Sequence, residues 1–190
     1  MHVEEPGYGV GLSNSGSYGH DITRTVGDSG EVQTELRISL VRAARSPDPG
    51  QDVGAHRFDY ALVPGADLET IVRAGYEQHL PVRRVPGTDP TADATGWSLL
   101  EIDGDGIHLE SIMMAADRSG DVIARLYEAR GSRATARLRP GFEVVGYEQV
   151  DLLERPLAPD ARRAPRFDPS DAGLELALWP FQIVTVRLVR

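Results

Sequence analysis

The stretch "QIVTVRLV", residues 182–189, decides the fold: Val184, Val186 and Leu188 alternate with Thr185 and Arg187. That period of two belongs to a β-strand with one face in a core and the other toward polar surroundings. The same alternation runs through "ELRISLVR" (35–42), "HRFDYALV" (56–63), "DVIARLYE" (121–128) and "RATARLR" (133–139). Between these runs lie "GDSG" (27–30), "DGDG" (103–106), "RSGD" (118–121) and "RPG" (139–141), whose residues suit tight turns. The pattern predicts an all-β, mostly antiparallel, sandwich-like chain.

One segment breaks the rule of two. In "DLETIVRAGYEQ" (67–78) Leu68, Ile71, Val72 and Gly75 fall at helical spacing behind Asp67, which is placed to cap the first turn. A single short helix is predicted there. "PGTDPTADATG" (86–96) has turn-forming composition and no apolar period, and reads as a linker. "RPLAPDARRAPRFDPSDAG" (155–173), with four prolines, is expected to be a long surface loop. The chain therefore divides at about residue 85, with a second domain from 96 to 190. The first part has about four strands, too few for a self-contained sheet, and reads as the end of a larger β domain whose beginning lies elsewhere.

Composition narrows the function. The chain has 190 residues, 41% of them hydrophobic, enough for a packed core. A net charge of -9 argues against nucleic acid, because phosphate binding needs clustered cations. Without cysteine there are no disulfides, thiolate metal sites or thiol nucleophiles. No apolar run approaches the roughly 20 residues that cross a bilayer, and the N-terminus lacks the pattern of a secretory signal. A cytoplasmic protein without membrane contact is expected.

The chemistry-bearing residues are concentrated in "GLSNSGSYGHD" (11–21), yet neighbours in sequence do not make a triad, and a strand end entering a Gly/Ser/Asn turn accounts for it. The five histidines, His2, His20, His56, His79 and His108, show no spacing that would bring two imidazoles onto one metal. His108 alternates with Ile107 and Leu109 and is expected on an exposed face. Asp103 and Asp105 resemble half a calcium loop, and a hairpin turn explains them. "GYGVGL" lacks the strand, glycine loop and helix order that cradles phosphate. Trp97 and Trp179 flank strands in apolar surroundings and are expected in a core. Arg42 is in register with Leu36, Ile38 and Leu40, so a strand persisting to it would turn its guanidinium toward the core face. There it would pair with Asp48 or Asp52 to brace the loop, or the three would form the rim of a ligand cleft.

Several separated motifs occur in the order found in one family. "GYGVGLSNSGSYGHDI", "LRISLVRAARSPDPGQDVGAHRFDYALVPG" and "AGYEQHLPV", then "LLEIDGDGIHLESIMMAADRSGDVIARLYEARG", "VDLLERPL" and "WPFQIVTVRL", resemble the C-terminal β region of glycoside hydrolase family 38, the retaining α-mannosidases. The chain departs from that pattern at Asn14-Ser15, Ser17, Gly65, His79, Met113 and Ala116. The resemblance implies the end of a larger mutarotase-like β domain (1–85) followed by a small terminal β-sandwich (96–190). It also implies hydrolysis of α-mannosides by zinc and a nucleophilic aspartate in an N-terminal catalytic domain that would be this region's own partner. No catalytic residue and no metal ligand carry over onto this chain, which taken alone is expected to be inactive. Arg42 maps onto the family's arginine near the sugar, with Tyr18 and Asn14 as further substrate-binding candidates. An independent carbohydrate-binding or interaction module is the alternative, and a homo-oligomer stays open.

Overall fold

The computed structural model describes residues 1–83, 86, 96–158, 166–170 and 172–190. Two compact units divide the chain, Met1–Thr88 and Asp89–Arg190. The expected linker at 86–96 lies largely outside the described residues.

In the second unit the alternation folds as read. β6 (Leu100–Asp103), β7 (Ile107–Met114), β8 (Val122–Glu128), β9 (Ala134–Pro140), β10 (Gly146–Val150), β11 (Arg166–Ser170), β12 (Gly173–Leu178) and β13 (Ile183–Val189) form two four-stranded antiparallel sheets. One has the order β10-β13-β8-β7 and the other β11-β12-β9-β6. Val122, Ala124 and Leu126 of β8 and Val184, Val186 and Leu188 of β13 meet Leu138 of β9 and Leu174, Leu176 and Leu178 of β12 in one buried cluster. Successive side chains leave a strand on opposite faces, so each alternating run supplies one wall of this core. Loss of a buried leucine here, such as Leu126, costs roughly 2–5 kcal/mol.

Three readings of this region are corrected. "DGDG" is not a hairpin: β6 and β7 lie in different sheets, and Gly104 and Gly106 carry the chain across. Gly104 has φ 151°, and a Cβ there would sit 2.4 Å from the Thr135 carbonyl oxygen, so only glycine fits. The proline-rich stretch is not loop throughout, since Arg166–Ser170 forms β11. Pro169 is tolerated because β11 is an edge strand, where a missing N–H costs no ladder bond, and Phe167 packs on the core. Nor are the tryptophans core residues. Trp97 is 70% exposed with its indole N–H donating to the Gly141 carbonyl at 3.2 Å, and Trp179 lies under the Arg133 guanidinium at 4.1 Å. Both stand just outside a strand, where alternation no longer commits a side chain to a face.

Two polar clusters tie loops to this core. Glu128 is 1% exposed, and its carboxylate accepts the N–H groups of Arg130 at 2.8 Å, Gly131 at 2.9 Å and Phe181 at 2.8 Å. Burial pushes its pKa up, but the backbone donors outweigh that and hold it below the usual carboxylate range. One side chain thus closes the β8–β9 turn and fastens it to the segment entering β13. Arg187 reaches Asp121 at 2.7 Å and Asp117 at 2.6 Å, pinning the β7–β8 hairpin to β13. The Ser119 N–H, then the Arg187 guanidinium, lower the Asp117 pKa to about 2.

The first unit is built differently. β1 (His2–Glu5), β2 (Tyr8–Asn14) and β5 (Tyr60–Pro64) form a three-stranded sheet, while β3 (His20–Val26) and β4 (Val32–Ile38) form a separate hairpin. Helix α1 (Leu68–His79) starts as read, with the Asp67 carboxylate accepting the Thr70 N–H at 2.7 Å. It packs on β2 because that strand presents Gly9, Gly11 and Ser13, all buried, on one face. A Cβ on Gly11 would lie 2.5 Å from Ile71 Cδ1. Of the glycines of "GYGVGL", Gly11 therefore serves close approach of the helix, Gly9 clears the Ala66 carbonyl oxygen, and Gly7 turns the chain at φ 88°. Both strands around Arg42 are shorter than the alternation suggested: β4 ends at Ile38 and β5 begins only at Tyr60.

Two outcomes are expected. Glu128→Ala orphans three backbone donors and lowers stability by about 2–3 kcal/mol in chemical denaturation, whereas an exposed change such as Glu101→Ala leaves it nearly unaltered. Asp117 supplies stability that is complete above its unfolded value of 3.8 and is lost as the pH falls toward about 2. Asp117→Asn therefore flattens the decline in stability across that acid range, measured by denaturation at stepped pH.

Candidate functional site

The polar stretch 11–21 becomes the end of β2, a turn, and the start of β3, as read. Asn14 organises it. Its Oδ1 accepts the N–H groups of Gly16 at 3.0 Å and Ser17 at 2.6 Å, an arrangement in which asparagine stands in for a turn of backbone. With Oδ1 so occupied, Nδ2 is the atom facing His20 Nε2 at 2.8 Å, and it must donate. His20 Nε2 is therefore the acceptor and the ring proton sits on Nδ1. His79 Nε2 lies 3.2 Å from the Asn14 carbonyl oxygen and must carry a proton to bond it. The two imidazoles thus play opposite roles around one residue.

The 57–60 segment is locked to this turn. The Asp59 carbonyl oxygen accepts the Ser15 N–H and the Gln78 side-chain amide, each at 2.9 Å, and Gln78 in turn accepts from Ser13 at 2.9 Å. The Asp59 carboxylate takes Arg57 Nε at 3.2 Å and Nη2 at 3.1 Å. Asn14, Ser17, Leu40, Arg57, Asp59 and Tyr60 line a pocket of about 230 Å³. Asn14 and Tyr60 are direct partners in the β2–β5 register, so their side chains leave the same sheet face, the one opposite α1.

The expected site residues are not all gathered here. Asn14 lines the pocket. Tyr18 is 96% exposed at the tip of the turn and does not. Arg42 is exposed, four residues past the end of β4, and makes no ion pair among the described residues. The pairing expected with Asp48 or Asp52 is replaced by local bonds: Asp52 accepts the Ala43 N–H at 3.2 Å and Asp48 the Gly50 N–H at 2.8 Å. Because β4 ends at Ile38, Arg42 lies outside the strand register on which that pairing depended, and the chain turns just after it at Ala43, φ 47°. Arg57, Asp59 and Tyr60 also belong here: the alternation of "HRFDYALV" hides them, because only Tyr60–Pro64 of that run is strand. His108 is half-buried and stacks on Tyr127 at 5.5 Å. Gly65 adopts φ 73°, a conformation that histidine, expected there by resemblance, would adopt only with strain.

Among the described residues no three His, Cys, Asp or Glu side chains converge as metal ligands, so zinc finds no fitting donor set there. No helix among them is long and apolar enough to cross a membrane.

The assigned ring protons can be read directly. Nitrogen-15 shifts of the imidazoles at neutral pH should show His20 as the Nδ1–H tautomer, and Asn14→Ala should return it to the common Nε2–H form. An Nε2–H signal for His20 in the unaltered chain would refute the assignment.

Residues 106–186 match the family model "Glycosyl hydrolases family 38 C-terminal beta sandwich domain". The whole chain is similar to "Alpha-mannosidase 2C1" of Homo sapiens and of Mus musculus, 31% identical in each case. About four fifths of it, 80%, is 26% identical to an "Alpha-mannosidase" of Saccharomyces cerevisiae. The chain spans 16–17% of the length of these relatives. Through the strands from β7 into β13, the chain is similar to the C-terminal β-sandwich domain of glycosyl hydrolase family 38.

Proposed function

We propose that this chain is the non-catalytic C-terminal β portion of an α-mannosidase, supporting a zinc-dependent catalytic domain and lining part of its sugar cleft. The observation that carries the reading is the coincidence of a family 38 C-terminal domain with similarity to α-mannosidases along the entire chain. Its physical character agrees: a dense apolar core, with buried polar groups spent on fastening turns. Asn14, Tyr18 and Arg42 are the residues that resemblance places toward sugar, and of these Asn14 lines a pocket.

A second reading has one observation in its favour. The exposed Trp97 ring, fixed by its bond to Gly141 and beside Phe142 and Met114, is the kind of flat surface on which an independent carbohydrate-binding module stacks a sugar.

The test is to excise from human Alpha-mannosidase 2C1 the segment aligned with this chain and to assay a chromogenic α-mannoside with zinc. The supporting role predicts a large loss of activity or thermal stability on excision, and no turnover by the 190-residue chain alone. Full activity after excision, or turnover by the isolated chain, would contradict it. Saturable quenching of Trp97 by mannosides, abolished in Trp97→Ala, would instead favour the module.

A further inference from the structure

We infer that Arg57, Asp59 and Tyr60 form a subsite for one hydroxyl-rich ring, a pyranose held through adjacent hydroxyls. This assignment rests on the α-mannosidase reading for its ligand class and replaces Arg42 by Arg57 as the guanidinium of the site.

The Asp59 backbone is held by Ser15 and by Gln78 of α1, so its position is set by two elements, the turn after β2 and the helix. The carboxylate is oriented by Arg57, which uses Nε and Nη2 and leaves Nη1 without a partner among the described residues. Each carboxylate oxygen keeps lone-pair capacity beyond these bonds. The result is a planar fork of outward donors beside free acceptors. Two neighbouring hydroxyls, each able to donate and accept, match that combination, whereas a simple anion would use only the donors and be repelled by Asp59.

The third element is the Tyr60 ring, 67% exposed on the pocket wall. An exposed aromatic face offers the C–H side of a sugar ring an apolar surface while the hydroxyls meet the pair. At about 230 Å³ the pocket is smaller than the roughly 300–1,000 Å³ of drug-sized sites, which limits it to a single ring. The pair has no evident structural duty. Arg57 and Asp59 side chains are 86% and 52% exposed, and such surface pairs add little to stability.

The experiment is an amide-resolved NMR titration of the 190-residue chain with methyl α-mannopyranoside, with sodium sulfate as the anion control. Saturable shifts are expected at Asn14–Ser17 and Arg57–Tyr60, with affinity near the millimolar range and no comparable response to sulfate. Asp59→Asn and Tyr60→Ala should each weaken binding by about tenfold or more. Arg57→Lys, which keeps charge but loses the fork, should weaken it in a chain whose spectrum is otherwise unchanged. Absence of saturable shifts, shifts centred on Trp97 or Arg42, an equal response to sulfate, or unchanged binding in Arg57→Lys would overturn the subsite. Failure here with loss of activity on excision from the relative sinks the subsite alone. A harmless excision sinks the α-mannosidase reading instead.

Discussion

The second unit depends on one constraint: the side-chain period of a strand must bring the alternate apolar residues of β8, β9, β12 and β13 into one shared core. Val184, Val186 and Leu188 face inward against Leu174, Leu176 and Leu178 across the two sheets, and a register slip of one residue would turn each run toward water. With the layers so fixed, the remaining polar groups act as fasteners. Glu128 closes one turn on three backbone donors, and Arg187 holds the opposite hairpin through two carboxylates. Both lie within residues 106–186 or one step beyond, the region that matches the family 38 C-terminal domain.

The first unit uses a different device. β2 is stripped to Gly9, Gly11 and Ser13 on one face so that α1 can lie close, and its other face then carries Asn14 beside Tyr60. The helix contributes again at its end, where Gln78 and His79 hold Asp59 and Asn14 through backbone oxygens. A pocket of mixed polar and apolar lining over a glycine-backed strand follows from that arrangement. Sequence neighbours 11–21 frame the pocket without supplying its charged pair.

Much of this architecture is legible in the sequence. Period-two alternation located β8, β9 and β13, and a capping aspartate with helical spacing located α1. Proline content concealed β11, because the rule that excludes proline from strands relaxes at an edge. Paired glycines in "DGDG" suggested a hairpin, but a glycine turn does not reveal whether the chain returns to its own sheet or crosses to the other. Arg42 escapes its apparent register because alternation continues through "SLVR" while the backbone leaves the strand after Ile38. Arg57 and Asp59 gave no sign in sequence, since their placement depends on Ser15 and Gln78, 42 and 21 positions from Arg57 along the chain.

Amide hydrogen exchange on the intact 190-residue chain tests the central claim most directly. The account predicts the slowest exchange at the paired amides of β8, β9, β12 and β13, with faster exchange in the β3–β4 hairpin, whose side chains are mostly exposed. Uniformly rapid exchange across 122–128, 134–140, 173–178 and 183–189, or greatest protection in the hairpin, would contradict it.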